Sequence, residues 1–286
     1  MQIYKKLRGI AASLFVMCSL YACKKEAAIQ PVPNPPFYTL PQGDQPYDDS
    51  IVAFRNQYSS YILYKFTNHD LLYEVTGNVP RLAAKIANPP YIDTTLKLFK
   101  TVFMNYFPEE FLKKTMPYKI LLAASIDTMN VSAITKLVPS ITGTFATATS
   151  LVIGWADSAF LKKKYPARTL REWVTAAYFK NATLGGAIKI PLDFVKLAPP
   201  AYNTATSDPR GMGFLGQATQ MSDISIYWDF GMYVAYISSR TRAELNNTIF
   251  KPNYDTKGMV RKKYEVVCNF FQTEYGIDLQ AIGERP

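Results

Sequence analysis

The stretch at residues 169–186, TLREWVTAAYFKNATLGG, divides the chain into two kinds of sequence. It carries apolar residues at helical spacing and closes on a glycine pair, so it reads as a helix ending near Gly185-Gly186. Before it the apolar runs are short and rich in β-branched and aromatic residues. Residues 61–66 (YILYKF) alternate and read as a strand, and residues 118–126 (YKILLAASI) read as a buried strand. Residues 142–155 (TGTFATATSLVIGW) suggest a strand or a hairpin pair. After the dividing helix the runs lengthen and take a period near 3.6. Asp223 is expected to cap an apolar helix running to about Ser239, with Ile226, Tyr227, Phe230, Tyr233, Val234 and Ile237 on it. A final amphipathic helix is expected over residues 259–275, with Val260, Tyr264, Val267, Cys268 and Phe271 inward and Gly276 as its stop. Earlier helices are expected from Ile51, after Asp48-Asp49-Ser50, and over residues 92–107. Strands first and helices later give an α+β layout.

The N-terminus reads as an export signal. Lys5, Lys6 and Arg8 precede an apolar run at residues 10–21 (IAASLFVMCSLY). That run falls short of the roughly 20 apolar residues that span a bilayer. A basic start, a short apolar stretch and a small residue at its end mark a cleaved signal peptide. Leu20-Tyr21-Ala22-Cys23 resembles a lipobox, so the expectation is cleavage after residue 22 and lipid on Cys23. Residues 23–46 follow, with the proline-rich QPVPNPP at 30–36, a semi-rigid stalk in composition. Residues 47–286 form one expected α+β domain tethered to a membrane by lipid rather than spanning it.

Composition narrows function further. Nearly half the residues are hydrophobic (48%), enough for a sizeable core. The net charge is +10, and +7 without Lys5, Lys6 and Arg8. The remaining basic clusters, Lys113-Lys114, Lys162-Lys163-Lys164 and Arg261-Lys262-Lys263, are separate and read as solvated helix faces and ends. A nucleic-acid partner would need one continuous basic stripe, so none is expected. Of three cysteines, Cys18 leaves with the signal and Cys23 takes lipid, so Cys268 has no disulfide partner within the chain and reads as a small buried hydrophobe.

The chemistry the chain lacks is as informative. His69 is its one histidine, so a His-Glu-x-x-His zinc site, which needs two imidazoles a helical turn apart, cannot be built. His69, in Thr67-Asn68-His69-Asp70, reads as a loop or capping residue. Asp70 with Glu74 and Glu109 with Glu110 are surface-spaced acids, and Asp157 has no evident partner. Asp208-Pro209-Arg210-Gly211 is a turn, and Gly211-Met212-Gly213-Phe214 lacks the strand-then-helix context of a phosphate loop.

Four stretches together resemble a known family, the zinc metallohydrolase lipoproteins encoded beside TonB-dependent substrate importers. They are Tyr64-Lys65-Phe66 with Asp70-Leu71 and Tyr73; Phe111-Leu112-Lys113-Lys114 with Pro117 and the strand from Lys119 to Ala124; Pro191-Leu192-Asp193-Phe194; and residues 264–279, ending Tyr275-Gly276-Ile277-Asp278-Leu279. The resemblance implies a zincin-like fold, a small mixed sheet packed against helices with a helical C-terminal half. It places the family's His-Glu-x-x-His over residues 178–182, where Tyr178 and Ala182 replace the ligands and Phe179 replaces the general base. Met232 stands near a later acidic ligand. The chain therefore resembles a degenerate, non-catalytic member, with no metal or cofactor expected. The resemblance implies an outer-membrane location in the cell envelope, with an importer and its substrate-binding lipoprotein as partners. It sets no oligomeric state.

Two other readings stay open. Twenty tyrosines, seventeen phenylalanines and three tryptophans allow a carbohydrate-binding lipoprotein unrelated to metallohydrolases, provided Trp155, Trp173 or Trp228 is exposed in a groove. An active hydrolase with a carboxylate dyad would need two close acids in a pocket. A carboxylate-rich metal site would fall around Asp223, Asp229 and Glu244.

Overall fold

The computed structural model describes residues 37–74, 82–130, 133–199, 202, 208–215 and 225–286. The export signal, Cys23 and residues 23–36 of the stalk lie outside them. The chain divides into residues 1–39 and a body, Leu40–Pro286. The body thus begins inside the segment read as the end of the stalk. Gln42 holds that start in place: its Oε1 accepts from Tyr64 N at 2.8 Å, and its Nε2 donates to Lys65 O at 2.7 Å.

The first helix, α1 (Pro46–Tyr58), opens with proline at its first position, where the missing N–H costs nothing. Asp48 and Asp49 lie in the first turn rather than ahead of it. The first strand, β1, covers Tyr61–Leu63, shorter than the alternation suggested. Helix α2 (Asn68–Leu72) and strand β2 (Leu82–Ile86) follow, then α3 (Ile92–Val102) and α4 (Glu109–Thr115). The long strand β3 (Lys119–Asn130) leads into β4 (Ala133–Pro139), β5 (Thr144–Ala146) and β6 (Ser150–Ile153). Then come α5 (Ser158–Leu161), α6 (Ala167–Leu184), α7 (Leu192–Lys196), α8 (Ile226–Ser239), α9 (Arg242–Asn246), α10 (Met259–Tyr275) and α11 (Leu279–Gly283).

The sheet is mixed and organised on β3. Its first half pairs parallel with β1 and β6, and β5 adds antiparallel to β6, giving the order β1-β3-β6-β5. Its second half pairs antiparallel with β2 and β4. Register explains why β3 reads as an unbroken apolar run. Ile62, Ile120 and Leu151 are aligned partners in the main core, while their neighbours Leu63, Leu121 and Val152 point to the opposite face and are also buried. A strand covered on both faces loses its alternation.

Helices α6 and α8 form the centre of the C-terminal half. Both are buried on several sides, which suits their lack of a clean polar stripe. Gly231 lets their backbones touch: a Cβ there would lie 2.8 Å from Ala176 O. Helix α10 ends as expected on Gly276, at φ 65°, with Gly276 N bonded to Gln272 O and Ile277 N to Phe271 O.

Several expectations need correction. Strands β2 and β4 were not foreseen. The cap of α8 is Ser225, whose side chain accepts from Trp228 N, and Asp223 lies outside the described residues. Helix α10 is not the last element: α11 follows, capped by Asp278. His69 sits exposed inside α2, whose capping box is made by Thr67 and Asp70. Lys263, placed among solvated basic residues, is completely buried. Among the described residues no helix is long and apolar enough to cross a membrane.

Candidate functional site

Helix α6 carries three of the four positions singled out from sequence, and the fold uses all three as interior packing. Tyr178 is fully buried, with its ring centroid 4.5 Å from that of Phe103. Its hydroxyl lies 2.7 Å from Thr115 Oγ1, which donates to Phe111 O and so is free to accept from the tyrosine. Burial raises the Tyr178 phenol above its ordinary value, keeping it a neutral donor. Phe179 packs among Phe107, Phe111 and Phe271. Ala182 is buried, and its carbonyl accepts from Ile188 N. Met232 packs instead against the separate Phe214–Trp228 cluster.

Strand β5 lies at one end of the main sheet path, next to α6. Among the described residues no strand pairs with the outer edge of β5. Helix α6 runs alongside: Thr144 Oγ1 donates to Trp173 O at 3.3 Å, and Lys180 Nζ lies 5.5 Å from the Phe145 ring. Thr144, Phe145, Trp173 and Lys180 are half-buried, while Ala146 is buried and Thr144 N donates to Thr142 Oγ1 at 3.2 Å.

The acids named from sequence do not converge. Asp70 accepts from Thr67 N as part of a helix cap, while Glu74 accepts from Thr149 N at 2.9 Å. Glu109 and Glu110 both pair with Lys113 on an exposed face. Asp157, which had no evident partner, caps α5 through Ala159 N and accepts from Asn88 Nδ2. Glu244 caps α9 and meets Arg168 at 3.0 Å. Among the described residues no group of three or more His, Cys, Asp or Glu could hold a metal ion. The tryptophans supply no exposed platform. Trp155 and Trp228 are buried, and half-buried Trp173 packs edge-on against Tyr165.

Two fully buried cations were missed. Arg171 is fully buried in α6, with its guanidinium 3.5 Å from the Tyr106 ring centroid and its NH2 donating to Pro286 O at 2.7 Å. It fastens the C-terminal residues to α6. Lys263 of α10 meets Asp229 of α8 at 2.7 Å, and both side chains are fully buried. Tyr202 donates to the same Asp229 oxygen at 3.0 Å. Burial pushes the Asp229 carboxyl up, opposed by Lys263 and Tyr202. The signal for Lys263 was present: it lies three residues after Val260 and four before Val267, on the inward stripe of α10.

No family model matches the chain, and no curated protein does. One solved structure is similar in fold: a crystal structure of a candidate zinc-binding metallo-peptidase from Bacteroides caccae ATCC 43185. The match has a TM-score of 0.52 and 12% identity, and covers 83% of this chain and 88% of the other. The fold is therefore zincin-like, a small mixed sheet packed against helices with a helical C-terminal half.

Proposed function

We propose that this chain is a non-catalytic relative of zinc metallopeptidases. It works as a lipid-anchored binding protein of the cell envelope, accessory to a TonB-dependent import system and held at the outer membrane through Cys23. One observation carries the non-catalytic part. The helix that would have to present two imidazoles presents a hydrogen-bonded Tyr178, a ring-packed Phe179 and a buried Ala182. The chain's one histidine is exposed on α2. A zinc site of this kind needs three protein ligands and an open position.

The half-buried surface beside β5 supports a binding role, since ligand sites combine apolar side chains with a few polar groups. Phe145, Trp173 and Lys180 would then offer apolar surface and one positive charge. A carbohydrate-binding reading finds no tryptophan platform and is not preferred. The test is zinc stoichiometry and affinity of the purified full chain, with hydrolysis of a mixed peptide library in the same buffer. The expected result is no stoichiometric zinc and no cleavage. One tightly bound zinc per chain, or zinc-dependent cleavage, would overturn the proposal.

A further inference from the structure

The Asp229–Lys263 pair raises a question of valence that an ordinary ion pair answers poorly. A lysine ammonium has three donors. Two acceptors lie near Lys263 Nζ: Asp229 Oδ2 at 2.7 Å and Gly213 O at 3.4 Å. The rest of its surroundings are rings, with Phe214 4.8 Å, Phe194 5.3 Å and Tyr233 5.7 Å from Nζ to centroid. On the other side, Asp229 Oδ1 is buried without any hydrogen-bond partner. A carboxylate oxygen left so is costly, and a buried ion pair recovers its desolvation only when its remaining donors and acceptors are satisfied.

An amide joining the two side chains needs much less. It has one N–H, which Gly213 O can accept beside the Tyr233 hydroxyl it already takes, and one carbonyl oxygen, for which an unpartnered Oδ1 is a modest deficit. We propose that Asp229 and Lys263 are a covalent modification site, condensing in the folded protein to an isopeptide bond between α8 and α10. This is independent of the proposed function.

The reaction balances without an oxidant or cofactor. A proton passes from the ammonium to Asp229 Oδ2 across their hydrogen bond, leaving an amine and a carboxylic acid. Burial pushes the Asp229 carboxyl up, toward its neutral acid form. The nitrogen lone pair attacks Cγ and the C–N bond forms. The protonated oxygen leaves as water, taking a second proton from the nitrogen. Tyr202, donating to Oδ2 at 3.0 Å, assists its departure.

The test is peptide mass spectrometry of the full chain, unfolded in denaturant and reductant and then digested. The expected result is one cross-linked species containing the Asp229 and Lys263 peptides, lighter than their sum by one water. Lys263→Met combined with Asp229→Leu keeps the cage apolar and should lose that species. Recovery of both wild-type peptides only as separate, unmodified chains would overturn the proposal, with no dependence on whether the variant folds.

Discussion

Gly231 sits where α8 crosses α6, and two effects compete there. In a helix interior, alanine is favoured over glycine by about 1 kcal/mol. Against that, the added Cβ would lie 2.8 Å from Ala176 O and 3.2 Å from Lys180 N, both backbone atoms that cannot swing aside. Overpacking of this kind costs about 1–3 kcal/mol, so the steric term wins. Gly231→Ala is expected to lower the midpoint of urea unfolding, and an unchanged or raised midpoint would mean the two helices can separate freely. The same scale shows the limit of reading residues by type. Lys263 was grouped with Arg261 and Lys262 because all three are basic and adjacent. Helical phase separates them: Lys262 is exposed and Lys263 is not. Cys268, read as a buried hydrophobe, is half-buried, and burial pushes its thiol up to about 11, away from reactivity.

Elements are fixed mostly by their ends. Helix α9 owes its start to a capping box: Glu244 Oε2 accepts from Thr241 N at 2.6 Å while Thr241 Oγ1 accepts from Glu244 N at 3.1 Å. The Thr241 backbone bond holds the Glu244 carboxyl below its ordinary value of 4.5, with Arg168 and Arg240 adding to the effect. A carboxyl depressed in the folded state stabilises fully above its unfolded pKa and stops doing so as pH falls through its folded one. Glu244→Gln is therefore expected to lower thermal stability at neutral pH and to flatten its decline below about pH 4.5. A variant whose stability falls in acid as steeply as the parent's would assign that decline to other groups. Helix α10, with its inward stripe and glycine stop, was legible in the sequence to the residue, and α6 to within two residues of its start. Strands β2 and β4 were not. Each is held by pairing with the far half of β3, and Leu82–Ile86 offers two alanines, a lysine and exposed Ile86 in place of a clear apolar pattern.

The whole molecule joins an expected lipid tether to a zincin-like body, Leu40–Pro286. In the proposed arrangement Cys23 supplies the tether. Cys23→Ser is expected to move the protein from the membrane fraction to the soluble fraction of cells without changing its far-ultraviolet circular dichroism. Retention in the membrane fraction would show that another contact, protein or lipid, holds it there.

The sequence by itself determined the α+β order, the principal helices, the central strand β3 as a buried run, and the impossibility of a two-histidine zinc helix. These follow from local periodicity and from counting, and neither needs a partner across space. Tertiary structure alone decided that β5 ends the described sheet beside α6, that Arg171 fastens the C-terminal residues, and that Asp229 meets Lys263 inside an aromatic cage. The physical reason is distance along the chain. Asp229 and Lys263 are 34 residues apart, and Arg171 and Pro286 are 115 apart. A buried charge is tolerable only once its counter-charge or acceptor has been brought to it, and only the folded chain does that.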